Sequence, residues 1–195
     1  MVTNTNIAPD GLRAETLALL ESSAAQFSDL VQSLSTAEWE AQPVGDAWSI
    51  AQICEHVGLV EVGSGKLIAR KLFETPATEE MLLEARDKDR LIKKMMRDRA
   101  GTARKAPDFV TPMGKWQTRD ELLSDFWQWR GSTIAMLSDP ARDPRLFAAK
   151  HPVWGMLDAI GWGLFLATHL ERQGKREIIG SELAALVHCT RITAV

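Results

Sequence analysis

The residues best suited to chemistry in this chain are its histidines, His56, His151, His169 and His188. His56 shares the helical spacing of Ile50, Ile53, Val57 and Val60. His169 shares that of Trp162, Phe165 and Leu166, and Gln173 follows one turn later. Such spacing predicts that both imidazoles face the interior from different helices. A buried imidazole without a partner costs about one to a few kcal/mol. Two of them can offset that cost by sharing a divalent transition metal, for which neutral imidazole is the commonest ligand. A third donor one turn beyond His169 falls at Gln173. Spacing alone favours a hydrogen-bonded structural role for each inward histidine over a metal site, and both readings stay open at this point.

The remaining candidates have plainer readings. His151 precedes Pro152 and reads as a loop or capping residue, and His188 as an exposed or subunit-contact residue. Cys54 lies two residues from His56, about 200° around a helix, and cannot share its site. Glu171 and Arg172 flank the His169 stripe and read as surface ion-pair formers. The seven tryptophans (39, 48, 116, 127, 129, 154 and 162) read as core, with Trp48 and Trp116 the pair associated with a pocket.

Several chemistries lack their motifs. No Glu-x-x-His pair, His-Glu-x-x-His run or Cys-x-x-Cys pair occurs. GSGKL (63–67) has Val60 where a phosphate loop needs its first glycine, and Leu67 where it needs Ser or Thr. GWG (161–163) falls inside a helical pattern.

The elements that must position these residues are helical. Pro9 and Asp10 open a first helix carrying Leu12, Leu17, Leu20, Phe27, Leu30 and Leu34, which stops near Ser35. A turn-rich stretch with a Ser-x-x-Glu box at Ser35 and Glu38 follows. Ser49 caps a second helix running toward Phe73. Thr78 to about Ala100 is helical but strongly charged, and reads as an exposed extension or an interaction arm rather than core. The loop GTARKAPDFVTPMGKW suits no regular element. Thr118 and Glu121 box the start of a helix bearing Leu122, Phe126, Trp129, Ile134 and Leu137. SDPARDPRLFAAKHP reads as a long loop, and a last major helix begins near Pro152. A short helix from Ser181 to about Cys189 closes the chain. No segment alternates as a surface strand does. The fold class is therefore all-α, a four-helix bundle with an extra charged helix and a short C-terminal helix, forming one domain over residues 1–195.

Bulk properties agree. A chain of 195 residues can bury one ordinary core, and 45% hydrophobic with 25% charged residues is a soluble composition. A net charge of −3 excludes the broad basic surface that nucleic-acid binding requires. The basic KKMMRDRAGTARK (93–105) follows the acidic EEMLLEARDKD (79–89), which reads as a solvated face. No apolar stretch is long enough to span a membrane, the N-terminus lacks signal-peptide character, and two unspaced cysteines suit a reducing compartment. The expectation is a cytoplasmic protein with neither nucleic-acid nor membrane partners.

Three segments carry a family resemblance. AWSIAQICEHVGLVE (47–61) resembles a Trp-Ser helix start ending in His. TPMGKWQTRDELLSDFWQWR (111–130) holds a Pro-x-Gly-x-Trp segment. HPVWGMLDAIGWGLFLATHLERQGKREI (151–178) has a His-Pro-x-x-Gly opening and a histidine-containing ending. In this order they resemble the DinB-like (YfiT-type) superfamily of bacterial four-helix bundles. The resemblance implies a metal-dependent hydrolase or thiol S-transferase, a homodimer, and a nickel or zinc ion held by three histidines. By position the ligands would be His56, His169 and Gln173. The last departs from the family's usual histidine, and an amide oxygen is a weaker ligand than imidazole. The resemblance also leaves room for a protein that kept the fold and lost the metal, binding a small molecule or serving dimerisation without catalysis.

Overall fold

The computed structural model describes residues 10–42, 48–97 and 106–174. The short helix expected from Ser181, together with His188 and Cys189, lies outside the described residues. The structure is mostly helical, with one small sheet.

Four long helices share the core: α1 (Asp10–Ser33), α3 (Ile50–Leu67), α6 (Arg119–Ser138) and α7 (Ala159–Gly174). Between the first two lies the short α2 (Thr36–Glu40). Helix α1 packs on α6 and α7, and α3 packs on α6 and α7. Three helix starts are set by reciprocal capping. Ser35 Oγ accepts from Glu38 N at 3.2 Å, while the Glu38 carboxylate accepts from Ser35 N at 2.8 Å. Ser49 with Gln52, and Thr118 with Glu121, repeat the arrangement at α3 and α6. Each box satisfies two backbone donors that a helix start leaves open.

The side chains then decide how close the helices come. Gly163 of α7 sits where a Cβ would lie 2.8 Å from both Leu137 of α6 and Thr16 of α1, so glycine alone permits that crossing. Inside the core, Arg130 of α6 is fully buried and grips Glu61 of α3 with two bonds of 2.8 and 2.7 Å. Its remaining nitrogen reaches Leu20 O and Ser23 Oγ of α1 at 2.8 and 3.2 Å. One guanidinium therefore joins three helices, its charge paired and its donors satisfied.

The charged segment after Thr78 differs from the expected exposed extension. It breaks into α4 (Glu79–Ala85) and α5 (Lys88–Arg97) at Asp87, whose φ of 63° is a left-handed conformation that a short polar side chain tolerates. Helix α5 packs on α7 and fully buries Ile92. A single apolar stripe is enough to dock a helix whose other faces are charged.

The expected long loop near residue 150 is also different. Ala148–His151 (β1) pairs antiparallel with Gly155–Asp158 (β2), from Ala148 opposite Asp158 to His151 opposite Gly155. Consequently α7 begins at Ala159 rather than near Pro152, and Asp158 caps it by accepting from Gly161 N at 2.7 Å. Arg145 holds Asp158 and Asp89, Glu84 accepts from Met156 N at 2.8 Å, and Lys88 donates to Trp154 O at 2.8 Å. These partners come from distant segments, which is why strands of four residues persist.

Candidate functional site

A cavity of about 960 Å3 opens between α3, α7, the hairpin and the turn Asp108–Val110. Its wall is largely apolar and aromatic, including Trp48, Phe109, Trp154, Trp162 and Phe165. His56, His151, His169 and Gln173 all lie on it.

His56 enters from α3 and is buried. Its Nδ1 lies 2.9 Å from the carbonyl oxygen of Val110. A carbonyl only accepts, so Nδ1 carries the proton and Nε2 keeps its lone pair. Metal-binding imidazoles are commonly oriented by such a bond. His169, on α7, places its ring 5.3 Å from that of His56 and 5.5 Å from that of Phe165. Burial lowers the pKa of His56 against the opposing pull of the Val110 carbonyl. His169 is driven down to about 3, first by burial and then by the repulsion a second proton would meet from a protonated His56 and from Arg172. Both imidazoles are thus neutral at pH 7, the form in which nitrogen donates a lone pair.

The loop that supplies Val110 is fixed by the residue before His56. Glu55 accepts the backbone N–H groups of Met113, Gly114 and Lys115 at 2.9, 3.0 and 2.8 Å. Gly114 turns the loop there with a φ of 77°. Glu55 was not singled out from the sequence. A buried acid beside an inward histidine is the signal that could have found it.

His151 occupies a different place in the cavity. It ends β1, is buried, and packs its ring against Trp162 and Phe165 at centroid distances of 4.9 and 4.3 Å. Its Nδ1 accepts from the N–H groups of Val153 and Trp154 at 3.0 and 3.2 Å. It therefore caps the hairpin turn, in keeping with a loop or capping role. Burial carries its pKa down to about 4.

The sequence-derived site residues separate clearly. His56 and His169 come together with their rings tilted by 59°, and Gln173, partly buried, lies on the same cavity wall one turn beyond His169. Cys54 points away into the cluster of Phe27, Val31 and Phe126. Arg172, read as a surface ion-pair former, lines the cavity. Trp48 does too, with its ring 5.2 Å from that of His56. Trp116 does not: it lies against Gly58, donates to Asp125 at 3.0 Å, and pins the loop instead of the cavity.

The donor set fits a metal loosely. Two imidazoles bound to one tetrahedral zinc-sized ion have ring centres about 5 Å apart, close to the separation found. Among the described residues, no group of three His, Cys, Asp or Glu side chains could hold an ion, and the polar side chain one turn beyond His169 on the cavity wall is the Gln173 amide. No helix among the described residues is long and apolar enough to cross a membrane.

No curated protein and no solved structure matches the chain. The family model described as the DinB superfamily matches residues 19–174, which span the four long helices from within α1 to the end of α7 and include His56, His169 and Gln173, and the chain belongs to that superfamily.

Proposed function

We propose that this protein is a four-helix-bundle metalloenzyme, a hydrolase or thiol S-transferase. It would act on a small and mostly apolar substrate in the cavity between α3 and α7. The observation that carries the reading is the pair His56 and His169, neutral and facing across the cavity, with His56 Nδ1 committed to the Val110 carbonyl. His56 and His169 would hold a divalent ion, nickel or zinc, with Gln173 as a weak third ligand. A bound metal supplies a lowered pKa to a water or thiol and polarises the substrate. The chain's own contribution is positional. Val110 orients the His56 ring, Glu55 secures the loop carrying Val110, and the aromatic wall excludes water from the apolar part of the substrate.

A second reading has its own support. The amide at Gln173 and the absence of a third strong donor among the described residues favour a binding protein of the same fold without a metal. Elemental analysis separates the two. The protein is purified without added metal, incubated with excess nickel or zinc, desalted, and compared with Gln173→His. Metal in the unaltered protein approaching one ion per chain supports the enzyme. Metal-free wild type beside stoichiometric Gln173→His removes it and leaves the binding protein.

A further inference from the structure

The charged groups on the cavity wall are one-sided. Among the described residues, the ionisable lining side chains are Lys150, Arg172 and the three histidines, with no carboxylate. The whole chain has a net charge of −3, so this bias is local. Arg172 is partly buried, while Lys150 sits at the exposed rim. A cationic, apolar-walled recess favours an anion whose remaining surface is apolar.

His151 adds direction to that preference. Both of its hydrogen bonds, from the N–H groups of Val153 and Trp154, end on Nδ1. A nitrogen that accepts from N–H groups carries no proton, so in the neutral ring Nε2 carries it. His151 is only 6% exposed, yet Thr133 Oγ1 is the one sealed polar side-chain atom without a partner among the described residues. The Nε2–H therefore opens onto the cavity that His151 lines. It is an immobilised donor, held by ring contacts with Trp162 and Phe165, and has no acceptor among the described residues.

We infer that the cavity binds an apolar molecule bearing a carboxylate, with Arg172 as the counter-charge and the His151 Nε2–H donating to an anionic oxygen. The inference rests on the cavity being the ligand site proposed above, but on no metal. Charge-assisted hydrogen bonds are the stronger kind, and removing the charge from the ligand should be felt directly.

The test is calorimetric titration of chelator-treated full-length protein with naphthoate and with its neutral isostere naphthamide. Naphthoate should bind about tenfold or more tighter, a difference of about 1.4 kcal/mol. Arg172→Gln should abolish that preference, and His151→Phe, which keeps a ring between Trp162 and Phe165, should weaken naphthoate about tenfold. Circular dichroism checks that each variant is folded. If His151→Phe does not fold, the wild-type ratio and Arg172→Gln decide alone. Equal affinity for the two probes, binding of neither, or a preference surviving in Arg172→Gln would overturn the inference. Because the titrations contain chelator, a failure of the metal reading in elemental analysis leaves their outcome unaffected.

Discussion

Glu55 and His56, adjacent on α3, hold the two ends of one loop: His56 Nδ1 donates to Val110 O, and Glu55 accepts from the backbone of Met113 through Lys115. Successive residues on a helix point about 100° apart, so one turn of α3 grips the loop from two directions. The loop carries the carbonyl that sets the tautomer of His56. Its fixation is therefore part of the site even though Glu55 does not line the cavity.

Removing that grip should be costly. Glu55→Ala leaves three backbone donors without their acceptor, and a lost charge-assisted acceptor costs about 1.5–3 kcal/mol. Urea unfolding should show a lower midpoint and an unchanged slope. An unfolding free energy within about 0.5 kcal/mol of wild type would mean that the loop is held by other contacts, chiefly Trp116 against Gly58.

Cys54 should be chemically silent in the folded protein. It is fully buried, and burial pushes its thiol up to about 12 from an ordinary 9.0. Thiolate is the reactive form, so the shift alone lowers reactivity by about three powers of ten, before access is considered. In a Cys189→Ser background, iodoacetamide at pH 8 should label Cys54 only after denaturant is added. Labelling of native protein at a rate near that of a free thiol would show that α3 opens around this residue.

The parts of this fold that were legible in the sequence are the local ones. The boxes at Ser35 and Thr118 and the cap at Ser49 each depend on residues three apart, so their geometry is written within one turn. The inward course of His56 and His169 is likewise local, because neighbouring apolar residues declare the face. The hairpin was not legible. Its strands AAKH and GMLD lack alternation, and they persist through Arg145, Glu84 and Lys88, which lie up to 72 residues away. Pro152 suggested a helix start because proline suits a first turn, yet the real cap is Asp158. Ile92 is different: Leu91, Ile92, Met95 and Met96 recur at helical spacing among charges, but the helix that Ile92 packs toward, α7, lies about 70 residues further along the chain.

Acid should destabilise the protein through its histidines. His56, His151 and His169 all have pKa values below the ordinary 6.5, lowered chiefly by burial, with His151 near 4 and His169 near 3. The unfolded chain takes up these protons first, so stability is complete above about pH 6.5 and falls as the pH drops. For His151 the loss ends near pH 4, where its folded form also protonates, and it amounts to at most about 1.4 kcal/mol per pH unit. His151→Phe should be less stable than wild type at pH 7.5, having lost the acceptor for Val153 and Trp154, but its stability should fall less between pH 6.5 and 4.5. Parallel curves for the two proteins, obtained from urea midpoints across that range, would show that His151 is not neutral in the folded state.

The core ion pair offers a test of what holds the helices in register. Arg130 is fully buried and Glu61 is 2% exposed, so removing one partner strands a charge in the interior. Arg130→Met or Glu61→Leu alone should cost about 3–5 kcal/mol. The double variant Glu61→Leu/Arg130→Met restores apolar complementarity, and should regain most of that loss. The regain should be incomplete, because Arg130 also satisfies Leu20 O and Ser23 Oγ on α1, which methionine cannot do. A double-mutant cycle measured by urea unfolding gives the coupling directly. Additive losses across the cycle would mean that Glu61 and Arg130 stabilise the protein independently, and that the three-helix junction rests on the apolar contacts around Phe126.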